Sequence, residues 1–202
     1  MLQYRTVSPA TLELLKGLSK DTHLSDFFLV GGTSLSLQIG HRESYDLDFF
    51  SLQSFSTEDM MRHLRIQWES EMLSTSEHIL ITMTGGVKVD FVVHPYPIRN
   101  PLLEVDGLRL LHREDIALMK LAAIAGRGRK RDFFDLYYLL REFPLQYLFD
   151  CYAEKYGEAS VFHSLRSLTY FDDAEGDADP ILFEKVSWIA VKKHIQQEAV
   201  KI

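Results

Sequence analysis

The chain has 202 residues, of which 46% are hydrophobic and 25% are charged, and its net charge is -7. These proportions are ordinary for a folded globular protein, and the length allows one large domain or two small lobes. The negative net charge argues against a protein that coats nucleic acid through bulk electrostatics, although it allows a local basic patch. The one cysteine, Cys151, excludes an intramolecular disulfide and fits a reducing compartment.

Apolar runs of the kind that targeting and membrane segments need are missing from the sequence. Residues 1–20 contain no apolar core of a signal peptide. No stretch approaches the length needed to cross a bilayer. We therefore expect a soluble, cytoplasmic protein without a membrane partner.

The first forty residues predict a helix, a strand and a short second helix. Serine followed by proline at residues 8–9 is typical of a helix start. The apolar run "FFLV" at 27–30 predicts a buried strand that stops at the Gly-Gly turn of 31–32. The next segment, 33–39, alternates like a strand, but Gly40 after it is typical of a helix C-cap. We interpret it as a short helix.

Two segments place carboxylates on predicted strand faces. In "YDLDFF" the residues alternate, so that Asp46 and Asp48 share one face of a strand. "HILITM" and "VKVDFVVH" flank a glycine turn and predict a β-hairpin, whose second strand carries Asp90. Lys88 lies on the same face as Asp90, and we expect it to pair with a neighbouring acid. A helix between the two segments begins near Ser56.

From about residue 113 the patterns are helical. The segment "REDIALMKLAAIA" predicts a helix closed by Gly126, and a basic connector, "GRGRKR" at 126–131, follows it. "RDFFDLYYLLREF" predicts a second helix, and a last helix is expected from about Ile181. The sequence thus predicts an α+β protein: an N-terminal α/β lobe with a mixed sheet and flanking helices at 1–110, and a helical lobe at 111–202.

Three carboxylates beside a glycine turn predict a metal site for phosphoryl chemistry. Like charges as close as Asp46 and Asp48 repel unless a cation lies between them. Mg²⁺ prefers oxygen ligands, and Asp90 completes a set of three. Phosphoryl and nucleotidyl transfer need such a site because the metal ion neutralises charge on the reacting oxygens. The turn at 31–32 lets phosphates approach the backbone, and Thr33 adds a hydroxyl at a helix N-terminus.

These motifs resemble those of a known family. "VGGTSLSLQIGHRESYDLDFF" is similar to the nucleotidyltransferase motif of the polymerase-β-type superfamily, and more narrowly to that of the AbiEii/AbiGii toxin family of abortive-infection and toxin–antitoxin systems. "VKVDFVVHPY", "IALMKLAAIAGRGRKRDFFDLYYLL" and "LRSLTYFDDAE" resemble further segments of that family, in the family order. The resemblance covers the chain from about residue 27 to its end. It implies nucleotidyl transfer from an NTP, with release of pyrophosphate.

The resemblance also implies a role for each matching residue. Asp46 and Asp48 would hold Mg²⁺ and the nucleotide triphosphate, and Asp90 would bind a second metal ion or help to deprotonate the acceptor hydroxyl. Lys120 would lie on the triphosphate, and Asp135 near the base or the acceptor. Among the residues near the turn, the contacts to phosphate would come from Gly31, Gly32 and Thr33, with Arg42 as a candidate phosphate fork. The implied acceptor is RNA, such as a tRNA end, and the implied partner is a cognate antitoxin.

Other interpretations stay open from the residues alone. The acceptor could be a protein or a small molecule, or the fold could serve as a non-catalytic partner-binding module. Lys120 has the position of a solvated lysine on the polar side of a helix, and Asp135 that of a surface ion pair with Arg131. The connector at 126–131 suits a solvated linker and a phosphate-binding patch equally.

Overall fold

Seven strands form one mixed sheet within the first 112 residues of the computed structural model, which describes residues 1–202. The chain divides into two compact units, Met1–His112 and Arg113–Ile202. The strands run in the order β3-β4-β5-β2-β1-β7-β6. Their bounds are Phe27–Val30 (β1), Leu47–Ser51 (β2), Glu71–Ser76 (β3), Ile79–Thr84 (β4), Val87–Val93 (β5), Leu103–Val105 (β6) and Leu108–Leu110 (β7).

Central strands of the sheet combine parallel and antiparallel pairing. β2 is antiparallel to β1 and parallel to β5, while β1 is parallel to β7. β4 and β5 form the predicted hairpin around Gly85 and Gly86, whose φ angles of 55° and 78° suit a tight two-residue turn. The predicted mixed sheet is therefore confirmed.

Three α-helices accompany the sheet in the first unit. They are Pro9–Lys20 (α1), Gly31–Ile39 (α2) and Thr57–Trp68 (α3). Side chains of Ser8 and Ser56 cap α1 and α3, accepting hydrogen bonds from the backbone N–H groups of Thr11 (3.0 Å) and Asp59 (3.2 Å). α2 confirms the short helix expected after the glycine turn, and it ends at Gly40 with a left-handed φ of 70°.

The core of the first unit lies around the central strands. Phe91 of β5 is completely buried, and its ring lies 5.4 Å from that of Phe27 and 5.6 Å from that of Phe49. Burying one such side chain stabilises the fold by roughly 1.5–3 kcal/mol. β2 therefore turns Leu47 and Phe49 into the core and leaves Asp48 half-buried between them.

The second unit contains only helices. Their bounds are Arg113–Arg127 (α4), Lys130–Leu139 (α5), Leu145–Tyr156 (α6), Glu158–Ser167 (α7), Asp172–Glu175 (α8) and Trp188–Ala199 (α9). Its core contains Phe133 and Phe134 of α5, whose rings lie within 5.7 Å of the Trp188 ring. Cys151 is buried there.

Several local expectations were wrong. Gly126 does not close α4, which continues to Arg127, because the left-handed residue is Gly128. The last helix begins at Trp188 rather than near Ile181, with Ser187 as its cap. β3 was not predicted, because all six of its residues are exposed and carry no apolar alternation. The short hairpin of β6 and β7 was also missed.

Candidate active site

Two of the three predicted carboxylates lie opposite each other in the sheet. Asp48 of β2 and Asp90 of β5 are direct partners in the parallel register, and both are half-buried. Neighbouring strands are about 4.8 Å apart, and partners in register point to the same face. The pairing therefore brings together two anionic side chains that lie far apart in sequence.

The third carboxylate is positioned through its backbone. Asp46 immediately precedes β2, and its carbonyl oxygen accepts a short hydrogen bond from the hydroxyl of Thr33. The Thr33 hydroxyl is also 2.7 Å from that of Ser44. Because Thr33 is buried, its side chain holds the segment that leads into β2. A phosphate contact from Thr33 would therefore come from its backbone N–H.

Gly31 lies directly beside the Asp48 carboxylate. Val30 pairs with Asp48 across β1 and β2, and the chain then turns into α2 at Gly31 with φ +67°. A β-carbon at Gly31 would lie 2.6 Å from Oδ2 of Asp48. Glycine is thus required both by the left-handed backbone and by the space that the carboxylate occupies.

The N-terminus of α2 adds backbone donors beside this carboxylate. Its first N–H groups have no partner within the helix, and no side chain caps it. A β-carbon at Gly32 would collide with Nη2 of the buried Arg42, whose Nη1 donates to the Glu43 carbonyl at 2.8 Å. The helix dipole and the guanidinium together make this end of α2 favourable for anions.

A cation already lies on Asp90. The ammonium group of Lys88 is 2.6 Å from each oxygen of the Asp90 carboxylate, which confirms the expected pairing of Lys88 with a neighbouring acid. The ion pair shows that this position favours positive charge. The donor set consists of carboxylate oxygens, which suits Mg²⁺. The residues present therefore fit a magnesium ion.

The second unit holds its own cluster of charges. Lys120 of α4 is 4% exposed, and its ammonium group is 2.8 Å from Oδ1 of Asp132 and 2.5 Å from Oδ2 of Asp135. Arg127 also contacts Asp132, at 2.9 Å. Burial alone would raise the pKa of Asp132, but Lys120 and Arg127 lower it below its ordinary value. Lys120 is therefore not a solvated lysine, and Asp135 is not a surface residue.

The basic connector is paired within the second unit. Arg129 contacts Oδ1 of Asp177 at 2.9 Å, and the backbone N–H of Lys130 donates to Oδ2 of the same residue at 3.0 Å. The Lys130 ammonium group lies 3.2 Å from Asp179. An acidic loop therefore neutralises much of the charge that made the connector a candidate phosphate-binding patch.

The predicted site residues fall in both units. In the first unit, Asp48 lies opposite Asp90 and next to Gly31, while Gly32 lies next to Arg42. Thr33 holds the backbone of Asp46. Lys120 and Asp135 contact each other in the second unit. No local signal in the sequence indicated the role of Ser44. Asp132 was also missed, because an acid in the first turn of a helix is common simply as a partner of the helix dipole.

Comparisons with known proteins identify the family. The family model "Nucleotidyl transferase AbiEii toxin, Type IV TA system" matches residues 13–201. An uncharacterised protein of Aquifex aeolicus is 38% identical over 160 residues, which cover 74% of this chain and 76% of that protein. The confirmed resemblance thus extends over almost the entire sequence.

Solved structures share the fold. MenT4, a nucleotidyltransferase toxin of Mycobacterium tuberculosis, superposes with a TM-score of 0.61 at 18% identity, covering 96% of this chain and 82% of that one. ANT(2'')-Ia in complex with adenylyl-2''-tobramycin gives a TM-score of 0.53 at 12% identity, covering 72% of this chain and 95% of that one.

None of the helices combines the length and the apolar character that a membrane span requires. The family match and the α+β fold settle the class of protein. The chain belongs to the AbiEii nucleotidyl transferase toxin family of type IV toxin–antitoxin systems, and it is a nucleotidyltransferase.

Proposed function

We propose that the protein transfers a nucleoside monophosphate from an NTP to a hydroxyl group of RNA in a reaction that depends on Mg²⁺. In this proposal residues 1–110 are the nucleotidyltransferase lobe and 111–202 the helical lobe. The main support for this proposal is that Asp48 and Asp90 lie opposite each other on neighbouring strands, next to the glycine turn at the start of α2. The carboxylate oxygens of Asp46, Asp48 and Asp90, which are the ligand type that Mg²⁺ prefers, support the proposed metal dependence.

Asp46, Asp48 and Asp90 would hold the metal ion. When bound, Mg²⁺ supplies neutralising charge for the oxygens around the reacting phosphorus. The backbone N–H groups of Gly31, Gly32 and Thr33 would bind the phosphate chain at the end of α2. Arg42 would support them as a positive charge packed against Gly32.

The transfer step forms one bond and breaks one. The acceptor oxygen bonds to the α-phosphorus, and the bond from that phosphorus to the pyrophosphate oxygen breaks. The hydroxyl proton would pass to the carboxylate of Asp90, and pyrophosphate leaves with the electron pair of the broken bond. Positioning and charge stabilisation then account for most of the rate, because little other covalent chemistry is required.

Lys120 and Asp135 match the later family motifs, and we propose that both are essential. In the second unit they hold each other within a buried ion cluster, which fixes α4 against α5. Such a cluster requires every member, since removing one partner leaves a buried charge uncompensated. The triphosphate role of Lys120 and the acceptor role of Asp135 stay predictions.

A small-molecule acceptor is the second candidate. It is favoured by the fold shared with ANT(2'')-Ia, whose structure contains adenylyl-2''-tobramycin, and by the pairing of the basic connector with acidic residues. The acidic net charge of -7 also disfavours non-specific RNA binding. A cognate antitoxin remains the expected partner of the toxin.

Transfer of label from each α-³²P-NTP, with Mg²⁺, into total RNA, total protein and a small-molecule extract tests the proposal. Asp48→Asn and Asp90→Asn should each reduce transfer by at least about 100-fold, because the metal ligands are lost. Asp59→Asn, an exposed carboxylate on α3, is the matched control and should keep full transfer.

Label in RNA that disappears in the two site variants supports the proposal. Label found in protein or in the small-molecule extract, and not in RNA, would identify that class of molecule as the acceptor. Transfer without added Mg²⁺ and in the presence of a chelator contradicts the metal dependence. If the protein neither transferred label nor bound NTP, the catalytic proposal would be wrong, and a non-catalytic partner-binding role would be the remaining interpretation.

A further inference from the structure

A second cluster of ligand-type side chains lies outside the carboxylate site. Asp21 follows the end of α1, His23 lies two residues later in a short 3-10 turn, and His63 comes from α3. One ligand atom from each residue lies within 4.8 Å of those of the other two. The two imidazole rings are stacked with their centroids 3.9 Å apart.

The geometry approaches that of a three-ligand metal site. Nε2 of His63 is 2.7 Å from Oδ2 of Asp21, and Nδ1 of His23 is 3.6 Å from Oδ1. Tetrahedral zinc with bonds of about 2.0–2.2 Å separates its ligand atoms by about 3.4 Å. The two separations lie on either side of this value, and the His23 side chain, 66% exposed, is free enough in space to rotate.

The Asp21 carboxylate is held by groups that an outer shell of a metal site would provide. The indole N–H of Trp68 donates to Oδ2 at 2.8 Å, and the backbone N–H of His23 donates to Oδ1 at 3.0 Å. Trp68 is itself packed against α1, since a β-carbon at Gly17 would lie 2.5 Å from its ring. Such partners orient a ligating carboxylate.

The cluster lies beside an open cleft, which His23, His63 and Trp68 help to line. The side chain of Asp21 is 9% exposed and that of His63 is 15% exposed, so both are held in place while solvent can reach the cluster.

We propose that Asp21, His23 and His63 form a binding site for a transition-metal dication of the Zn²⁺ type, with water as the fourth ligand. Two imidazoles and one carboxylate suit Zn²⁺ better than Mg²⁺, which prefers oxygen ligands alone. The site would join the end of α1 to α3 and stabilise the first unit, because a metal ion that binds only the folded chain adds its binding energy to stability.

Competition for Zn²⁺ against a chromogenic chelator, with the untagged full chain and excess Mg²⁺, measures the site. The expected result is one equivalent of Zn²⁺ and a rise in melting temperature. His23→Gln and His63→Gln should each weaken binding by at least about tenfold, and Trp68→Phe should weaken it by a similar factor through loss of the indole donor. Co²⁺ substitution should give the intense visible absorption of four-coordinate Co²⁺.

Two controls distinguish this site from other metal binding. His78→Gln removes an exposed histidine outside the cluster, and Asp48→Asn removes a carboxylate of the proposed active site; both should leave Zn²⁺ affinity unchanged. His23 is exposed, so its variant is expected to fold even if the His63 variant does not. Equal Zn²⁺ affinity of wild type and His23→Gln, or no competition with the chelator by the wild type, would overturn the proposal.

Discussion

The ammonium group of Lys88 lies 2.6 Å from both carboxylate oxygens of Asp90. Lys88 is 38% exposed and Asp90 18%, so the pair is partly screened by water. Its position matters because a divalent cation bound to Asp90 has to compete with the lysine. The ion pair therefore stabilises Asp90 in the absence of metal and weakens metal binding.

We expect Lys88→Met to strengthen metal binding by about two- to fivefold, the factor that corresponds to a partly exposed ion pair. Titration with Mn²⁺, followed by electron paramagnetic resonance without nucleotide, measures the affinity directly. Lys88→Arg should stay close to the wild type because it keeps the charge. Equal or weaker Mn²⁺ affinity in Lys88→Met would show that the lysine does not compete at Asp90.

Gly31→Ala should impair transfer more than it impairs folding. The φ of +67° strains any side chain, and the new β-carbon would also displace the Asp48 carboxylate, at 2.6 Å. Gly85→Ala is a matched control, since Gly85 has φ +55° but an open space around its β-carbon. Both changes should lower the free energy of unfolding by about 1–2 kcal/mol through backbone strain.

Urea unfolding and nucleotidyl transfer of the two alanine variants separate strain from contact. The expected outcome is loss of transfer in Gly31→Ala alone. Comparable transfer in both variants would mean that Asp48 tolerates the displacement.

Lys120 and Lys155 offer a matched pair of buried lysines. Each is paired with a fully buried aspartate, Lys120 with Asp135 and Lys155 with Asp115. Changing either to methionine should destabilise the protein by about 3–5 kcal/mol, because a buried carboxylate loses its partner. We expect only Lys120→Met to abolish transfer at a temperature where both variants are folded by circular dichroism. Equal loss of transfer in both would reduce the role of Lys120 to a structural one.

The buried Asp132 predicts a loss of stability in acid. Its folded pKa is lowered, burial being outweighed by Lys120 and Arg127, while its unfolded value is near 3.8. Its contribution is therefore fully present above that value and declines as the pH falls below it towards the folded pKa.

Urea unfolding measures the free energy of unfolding between about pH 6 and about pH 3. As the pH falls, this free energy should decrease less in Asp132→Asn than in the wild type. Arg127→Gln, at a half-exposed position, tests the same effect with less damage, since it removes one of the two cations that lower the Asp132 pKa. Asp59→Asn is the exposed control. If the free energy of unfolding of both cluster variants depended on pH as it does in the wild type, Asp132 would not be the source of the acid sensitivity.

Two helical glycines should respond to alanine with opposite signs. At Gly17 in α1 a β-carbon would lie 2.5 Å from the Trp68 ring, so Gly17→Ala should destabilise by about 1–3 kcal/mol. At Gly126 in α4 nothing lies within 4 Å, so Gly126→Ala should stabilise by about 0.5–1 kcal/mol. Thermal unfolding of both variants checks the two signs. A gain in stability for Gly17→Ala would show that Trp68 can move.

Elements with local signals were predictable from the sequence. The cap and proline at residues 8–9 determine where α1 begins, and the glycines at 85 and 86 determine the hairpin turn, because backbone angles and nearest donors decide these features. The alternation of apolar and polar residues in 45–50 correctly predicted that Leu47 and Phe49 face the core while Asp48 faces the other side of the strand. By contrast, β3 carries no apolar alternation, and only its pairing with β4 at the edge of the sheet makes it a strand.

The sequence by itself determined the residue types of the site and the family to which the chain belongs, since both are encoded in short ordered motifs. Tertiary structure decided which of these residues meet. Strand pairing placed Asp48 opposite Asp90, helix packing buried Lys120 between two aspartates, and the approach of α3 to the end of α1 brought His63 to Asp21. Such contacts depend on burial and register across long stretches of chain, which no local pattern records.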